Sequence, residues 1–393
     1  MINLYFTHWD KEGLPLPNGK VAFDTYKSSL IGQGVIIQEE IEYFHRFRIE
    51  CAAQIAKTSF NFVNSTTEPF LFVIDFDISP PLFELLVPLK NIIPKSIVLE
   101  INRNGYLVLL ENESWNKWLY EKLLEEAKQL GISADKVIFI TAAKHLPDID
   151  YLFLDWPQEL TLYTLIHENG LTNKVLKDIH TNIKPDKLYT CLNNEANLQK
   201  LRLLNNLYRY DLEDNGYISL LSIKERIKYA ASNQVLSNYP LILDKDNTRI
   251  YKFTDAIKYH ARSFISIIGP ANDTWDHLRD SNNVWNNDLY CIAAAKRPFL
   301  TNGSKPGKLE AIRDAGYMTF SDYFDESYDT EIESDKRAEK IVQLLTYFKT
   351  VDTEQLLIDM QPVLDHNFKH FFRSKNRTSH NVINQLIGKL NEY

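Results

Sequence analysis

Residues 105–140 read GYLVLLENESWNKWLYEKLLEEAKQLGISADKVIFI and contain the clearest α/β pattern of the chain. Residues 106–110 form an apolar run of strand length, and residues 137–140 form another. Between them, Ser114 is placed to cap a helix whose apolar side chains repeat on one face, and Gly131 is placed to end it. A strand, a helix and a strand in this order predict a parallel sheet with a crossover helix.

The same alternation extends in both directions along the chain. The apolar residues 70–74 predict a buried strand. Residues 97–100 and 106–110 flank the turn Asn102-Arg103-Asn104-Gly105, which predicts a strand at residues 97–100 as well. A second α/β series predicts strands at residues 188–192, 217–220, 263–268 and 298–300, and helices at residues 195–210, 287–295 and 308–315. The end of the chain predicts helices, including residues 335–349 and 379–391.

Two consecutive α/β series predict two Rossmann-like domains facing a cleft, with a helical C-terminal tail. Ligands of such open sheets bind beyond the carboxyl ends of the strands. We expect an N-terminal α/β domain over residues 1–150, an inter-domain region over 151–187, a C-terminal Rossmann-like domain over 188–350 and C-terminal helices over 351–393.

Composition excludes several classes of protein. The 393 residues include 44 Lys+Arg and 52 Asp+Glu, and the net charge of −8 makes nucleic acid an unlikely partner unless a local basic patch binds it. Three widely separated cysteines favour a reducing compartment, so we expect a cytoplasmic location. We expect neither a signal peptide nor a membrane span, because no suitable apolar run is present.

Glycine is scarce, at 13 of 393 residues, and Gly303 and Gly307 bound a loop between a predicted strand and helix. Backbone N–H groups at such a helix start, helped by nearby cations, make a site suited to a diphosphate. It is not a P-loop, because Leu309 stands where a magnesium-binding Ser or Thr is required. The alternative is a tight turn with solvated lysines. The cations around this loop are Lys296, Arg297, Lys305 and Lys308.

Carboxylates offer two further candidates. Asp325 and Glu326 open an acidic block that can bond sugar hydroxyls or transfer protons, or that can equally be a solvated loop before a helix. Asp75 and Asp77 follow a buried strand and would be the ligands in a metal-dependent alternative. A zinc hydrolase motif is incomplete, because Asn367 replaces its glutamate between His366 and His370.

Several motifs in the second half resemble those of a group of phage and viral glycosyltransferase-like proteins, which are distantly similar to the fucosyltransferases. The resemblance covers roughly residues 188–345. Its motifs are Arg297-Pro298-Phe299, Pro306-Gly307 before Leu309, Arg313 with Gly316-Tyr317 and Thr319-Phe320, and Asp325-Glu326-Ser327-Tyr328-Asp329.

This resemblance implies a GT-B architecture in which the C-terminal domain holds a nucleotide-sugar donor and the acceptor enters from the N-terminal domain, with no divalent metal as cofactor. The implied donor ligands are Lys200, Arg202, Lys296, Arg297, Asn302, Gly303, Lys305, Gly307 and Lys308, and the implied catalytic residues are Asp325 and Glu326. Two stretches depart from the family pattern. Asn287 and Asp288 stand where relatives have a ribose-binding glutamate and a lysine, and residues 194–200 keep only Lys200 as a cation where relatives have an arginine-rich run.

The first functional hypothesis is therefore a phage-encoded glycosyltransferase that moves a sugar from a nucleotide-sugar to an unidentified acceptor. The alternative is a catalytically inactive relative with a structural or binding role and protein partners, located in a virus particle. The loss of the glutamate and lysine at Asn287 and Asp288, and of the arginine-rich run at residues 194–200, motivates this alternative.

Overall fold

A computed structural model shows an α/β chain that divides into two compact units. One unit comprises Met1–Leu160 with Lys375–Tyr393, and the other comprises Thr161–Ser374. The structure describes residues 2–7, 52, 55–58, 60–62, 68–76, 89–93, 95–111, 117–141, 150–154, 156–163, 165–166, 170–193, 196–243, 253–269, 287–303, 305–373 and 378–392. The division after Leu160 falls inside the predicted inter-domain region, residues 151–187.

The first unit is built on a parallel sheet with the strand order β2-β1-β3-β4-β5-β6. Residues 70–74 of β3 are fully buried, as expected for a strand with neighbours on both sides in a covered parallel sheet. The strands are β1 (Ile2–Thr7), β2 (Phe60–Phe62), β3 (Phe70–Phe76), β4 (Gly105–Glu111), β5 (Val137–Thr141) and β6 (Leu152–Phe153).

The first unit's helices are α1 (Leu89–Ile92), α2 (Lys95–Asn104) and α3 (Lys117–Gln129). The strand, helix and strand predicted from residues 105–140 are confirmed as β4, α3 and β5. Ser114 lies outside the described residues. The strand predicted at residues 97–100 is wrong, because these residues belong to α2. Their β-branched side chains at Ile97 and Val98 lie with Ile101 on the buried face of that helix.

The second unit is built on a parallel sheet with the order β10-β9-β7-β8. Its strands are β7 (Lys187–Cys191), β8 (Gly216–Ile218), β9 (Ser263–Ile268) and β10 (Phe299–Thr301). Helix α4 (Trp156–Tyr163) spans the division between the units, and the helices that follow it are α5 (Asn173–Asn182), α6 (Leu198–Arg209), α7 (Asn233–Asn238), α8 (Phe253–Ala261), α9 (Asn287–Ala295), α10 (Lys308–Asp314), α11 (Ser334–Phe348), α12 (Thr353–Asp359), α13 (Gln361–Arg373) and α14 (Thr378–Leu390). The predicted elements of this half are confirmed, with ends shifted by up to three residues.

The C-terminal helices α13 and α14 belong to different units. Helix α13 packs at the end of α10, where His366 and His370 each donate a hydrogen bond of 2.9 Å from Nε2 to the carbonyls of Gly316 and Ala315. Asn367 between them bonds the backbone N–H and carbonyl of Met318. These residues thus fix one helix to another, which explains the spacing that resembles a zinc motif.

Helix α14 belongs to the first unit. Glu159 is 1% exposed, and its Oε1 accepts hydrogen bonds from the Thr378 hydroxyl at 3.3 Å and the Ser379 N–H at 3.5 Å. A buried carboxylate at the start of a helix satisfies N–H groups that have no partner within the helix. In the described part of the chain, no helix combines the length and apolar character that crossing a membrane requires.

Gly216 at the start of β8 provides a test of the second unit's core. A Cβ at this position would lie 2.3 Å from the ring of Tyr189, which is fully buried and donates a hydrogen bond to the Leu212 carbonyl at 3.0 Å. Because the ring is held in place, we expect Gly216→Ala to lower the free energy of unfolding by about 2 kcal/mol.

The matched control is Gly388→Ala in α14, where nothing lies within 4 Å of the added Cβ. It should raise stability by about 0.5 to 1 kcal/mol, because alanine favours the helix. Denaturant unfolding measures both variants. Equal midpoints for the two would contradict the packing described here.

Candidate functional site

The strand order of the second sheet reverses between β7 and β9. The chain runs from β7 to its neighbour β8, then crosses to the other side of β7 to form β9 and afterwards β10. Because all four strands are parallel, their carboxyl ends share one edge of the sheet. In open α/β sheets, ligands bind outside this edge at the point where the strand order reverses.

Asn193 follows β7 at this point and is 2% exposed. Its backbone N–H donates to Ser219 Oγ at 2.9 Å, and its Nδ2 donates to Cys191 Sγ at 3.2 Å. Its Oδ1 has no hydrogen-bond partner among the described residues. A buried amide oxygen without a partner is costly, so this atom marks a place where a donor from a ligand or from water would be stabilising.

Gly269 follows β9 and lies against Asn193. A Cβ built at Gly269 would be 3.2 Å from Asn193 Oδ1 and 3.2 Å from Lys200 Cε. The absence of a side chain at Gly269 therefore lets the end of β9 approach both residues closely. The three residues converge on one small region at the reversal point.

Helix α6 begins beside this region. Asn197 is its N-cap and accepts a hydrogen bond from the Lys200 N–H at 2.8 Å. Lys200 is only 9% exposed, and its charge acts on Cys191 and Asp288. A lysine at the first turn of a twelve-residue helix adds a full charge to the partial positive charge of the helix start.

Asp288, in the first turn of α9, supplies the negative charge of the region. Burial raises the pKa of Asp288 to about 6, and the positive charge of Lys200 opposes the rise. Burial likewise raises the pKa of the Cys191 thiol to about 11. A thiol with a raised pKa is mostly protonated at pH 7, which makes it a poor nucleophile. We call Asn193, Asn197, Lys200, Gly269 and Asp288 the switch-point cluster.

The carboxylate of Asp329 fills the glycine-bounded loop between Gly303 and Gly307. Asp329 accepts hydrogen bonds from the Thr301 hydroxyl and the Leu309 N–H, both at 2.8 Å, and its backbone carbonyl accepts from the Gly307 N–H at 2.9 Å. Gly307 adopts a φ of +88°, which favours glycine. The start of α10, the predicted phosphate cradle, is thus capped from within.

Asn302 and Gly303 also have internal partners. The Asn302 side chain is fully buried and accepts from Gln199 Nε2 at 2.8 Å. The Gly303 carbonyl accepts a hydrogen bond from the buried Arg337 guanidinium, which also donates to the Glu331 carbonyl. These bonds tie the end of β10 to α6 and α11.

The predicted cations do not form one group. Lys305 is exposed in the loop, and Lys308 begins α10. Arg202 pairs with Asp335 at 3.1 Å on an exposed surface. None of these contacts brings them to the switch-point cluster.

Lys296 and Arg297 lie at the amino end of β10, whereas the loop follows its carboxyl end. Lys296 pairs with Asp365 of α13 at 2.7 Å. Arg297 donates to the carbonyls of Ser263 at 3.0 Å and Ala261 at 2.6 Å, and burial lowers its pKa to about 10. The structure therefore separates both residues from the loop that they were predicted to serve.

The side chains of Asp325 and Glu326 accept hydrogen bonds from residues close to them in sequence. Asp325 accepts from the Ser327 N–H and hydroxyl, both at 2.8 Å, and these bonds lower its pKa. Glu326 accepts from the Phe320 N–H at 2.7 Å, and burial raises its pKa. The catalytic role of both carboxylates stays a prediction.

Sequence reasoning missed Asn193 and Gly269 as site residues and treated Asp288 only as a departure from a family pattern. The available signal was positional, because Asn193 and Gly269 directly follow predicted strands of one parallel sheet. Among the described residues, no group of three or more His, Cys, Asp or Glu side chains could hold a metal ion. Of the alternative metal ligands, Asp77 and the Asp75 side chain lie outside the described part of the structure.

Removing the Asp329 carboxylate tests its role as an internal cap. Asp329→Ala leaves the buried Leu309 N–H and Thr301 hydroxyl without a partner, so we expect a loss of about 2 kcal/mol in the free energy of unfolding. Asp325→Ala removes an exposed turn contact and should cost less than about 1 kcal/mol. Thermal and denaturant unfolding measure both, and equal losses would refute the assignment.

Comparisons with known proteins give only distant structural likenesses. No family model matches the sequence, and no curated protein matches it. The structure of S. aureus MnaA with UDP is 11% identical, with a TM-score of 0.40, and the match covers 94% of this chain and 82% of that one. The α,α-trehalose 6-phosphate synthase of Burkholderia multivorans is 10% identical, with a TM-score of 0.40 and coverage of 91% and 76%.

The wall teichoic acid polymerase TagF with CDPG is 14% identical, with a TM-score of 0.30, and the match covers 99% of this chain and 89% of that one. Identities and TM-scores this low assign neither a family nor a ligand to the chain. Its chemistry has to be inferred from its own residues.

Proposed function

We propose that this chain is a nucleotide-sugar-dependent glycosyltransferase whose donor binds at the switch-point cluster. The observation that carries the proposal is the buried Asn193 Oδ1, which has no partner among the described residues and lies against Gly269 and Lys200 where the strand order reverses. The phage or viral membership and the likeness to fucosyltransferases belong to this proposal and rest on the sequence motifs.

The cluster has the chemistry that a nucleotide-sugar requires. Asn193 Oδ1 accepts a hydrogen bond from a hydroxyl or base N–H, while the α6 start and Lys200 face the diphosphate. In the transfer, the bond between the anomeric carbon and the phosphate oxygen breaks, and the acceptor oxygen bonds that carbon. The hydroxyl proton leaves to a base, and the nucleoside diphosphate departs with the bonding electrons. Lys200 stabilises the charge that grows on this leaving group.

The proposal moves the phosphate site from the glycine-bounded loop to α6. Asp329 already supplies a negative charge at the loop, which disfavours a second anion there. No divalent metal is included in this proposal, because a helix start and a lysine carry out charge neutralisation.

A second candidate function has a specific observation in its favour. Lys296, Arg297 and Arg202 all have partners within the chain, and Asp288 adds negative charge near Lys200. A relative that kept the fold and lost the transfer would show this pattern and would act as a binding or structural component.

Calorimetric titration with a panel of UDP-, GDP-, CDP- and ADP-sugars tests donor binding. We expect one nucleotide class to bind with a Kd below about 1 mM. Lys200→Met keeps the apolar stem and removes the charge, so affinity should fall at least about 30-fold. The matched control is Lys305→Ala in the exposed loop, which should change affinity less than about twofold.

An absence of binding to every nucleotide at millimolar concentration would refute the proposal. A larger loss for Lys305→Ala than for Lys200→Met would restore the loop as the phosphate site. Slow release of free sugar from the bound donor, with water as acceptor, separates a transferase from the inactive relative.

Donor affinity should depend on pH through Asp288. Its pKa is about 6, so the carboxyl group is charged at pH 8 and mostly neutral at pH 5.5. The diphosphate of a nucleotide-sugar keeps its charge over this range, and the loss of a nearby negative charge should tighten its binding about fivefold toward low pH.

Asp288→Asn should bind the donor about fivefold more tightly at pH 8 and lose most of the pH dependence. Glu310→Gln, which changes an exposed glutamate on α10, is the control and should keep the wild-type profile. Titrations at several pH values measure both. A profile unchanged by Asp288→Asn would show that this carboxyl group does not face the donor.

A further inference from the structure

The segment of residues 222–232 begins beside the switch-point cluster. Ser219, directly after β8, accepts a hydrogen bond on Oγ from the Asn193 N–H at 2.9 Å. Three residues later, the Ser222 carbonyl accepts from the Ala196 N–H at 2.8 Å. A 3₁₀ helix, Glu225–Ala230, follows. Because such a helix rises about 2 Å per residue and three residues connect it to Ser222, its whole length stays within about 20 Å of Ser222.

Hydrogen bonds hold both ends of this segment. Asn205 on α6 donates to the Ala230 carbonyl at 2.8 Å and accepts from the Ser232 N–H at 2.8 Å. At the other end, the Tyr239 hydroxyl donates to the Leu221 carbonyl at 3.2 Å. The side chains of Ile223, Ile227, Ala230 and Ala231 pack against the core. The segment is therefore a fixed part of the second unit.

Its outward side is basic and carries an exposed aromatic ring. Lys224, Arg226 and Lys228 are exposed, and Tyr229 is 81% exposed. The one acid, Glu225, pairs with Lys228 at 3.4 Å, so the segment keeps a positive charge on a chain of net charge −8. An anchored tyrosine with most of its surface in water gains little from folding, which favours a role in binding.

The geometry points to an acceptor-binding surface: we propose that residues 224–229 bind a saccharide that carries sulfate, phosphate or carboxylate groups. The Tyr229 ring stacks on a sugar face, while Arg226 binds an anionic substituent. The inference rests on the proposed function, because the segment starts beside the switch-point cluster and would hold the acceptor close to the donor bound there.

A saccharide fits these observations better than a nucleic acid. The segment offers one ring rather than a row of stacking platforms. A long polyanion would also meet the repulsion of an acidic chain beyond the segment, whereas a short anionic saccharide contacts the cations alone.

Fluorescence anisotropy of the full chain with a labelled, short dextran sulfate oligosaccharide tests the surface, with a neutral dextran oligosaccharide of the same length and a short oligo(dT) as comparison probes. We expect dextran sulfate to bind at least about tenfold more tightly than either probe. Arg226→Glu should weaken its binding about tenfold, and Tyr229→Ala about fivefold.

Matched controls change similar side chains elsewhere. Lys174→Glu alters an exposed cation on α5, and Tyr347→Ala removes a tyrosine on α11 that is 52% exposed. Both should stay within about twofold of wild type. Effects equal to those of the segment variants would overturn the proposal. Tighter binding of oligo(dT) than of dextran sulfate would also overturn it, in favour of a nucleic-acid surface.

Calorimetry of the wild-type protein with the nucleotide-sugar panel separates this inference from the proposed function. Dextran sulfate binding that needs Arg226, with no nucleotide binding, would leave the surface standing and refute the donor site. Nucleotide binding together with dextran sulfate binding that is indifferent to Arg226→Glu would refute the surface alone.

Discussion

The carboxylate of Asp329 determines what the carboxyl edge of the second sheet can do. It joins the hydroxyl of Thr301 on β10 to the N–H of Leu309 in the first turn of α10. The Tyr328 hydroxyl beside it accepts a hydrogen bond from the Thr301 N–H at 3.3 Å. These bonds close the strand, the loop and the helix around an internal negative charge. A helix start that already holds a carboxylate does not attract a phosphate, which is why we propose the start of α6 as the anion site of this edge.

At α6 the balance of charge is different. Lys200 and the helix start provide positive charge, Asp288 provides negative charge close by, and Asn193 adds a neutral acceptor. A buried region with both signs of charge stays stable without a ligand, because the lysine is not left uncompensated. The nearby negative charge of Asp288 would limit affinity for an anion at neutral pH. We therefore expect this site to bind an anion more tightly when its own carboxyl group is protonated.

The sequence predicted most of the fold because apolar runs locate strands in covered parallel sheets, as at residues 70–74 and 263–268. It failed at residues 97–100, where β-branched residues match a strand but lie on one helix face. The candidate site was predicted less well. The partners of Asn302 and Leu309 lie at Gln199 and Asp329, far along the chain, so no local pattern shows that these groups are already satisfied.

Net charge and local charge act over different distances. Screening limits a charge in water to about 10 Å, so a total of −8 does not determine the potential at one segment. The segment is positive because its three cations, Lys224, Arg226 and Lys228, outnumber its one acid, Glu225, which pairs with Lys228. The acidic composition therefore disfavours a polyanion that covers a large part of the surface. It does not disfavour a small anionic partner at residues 224–229. The segment's position after β8 places this electrostatic feature at the same sheet edge as the switch-point cluster.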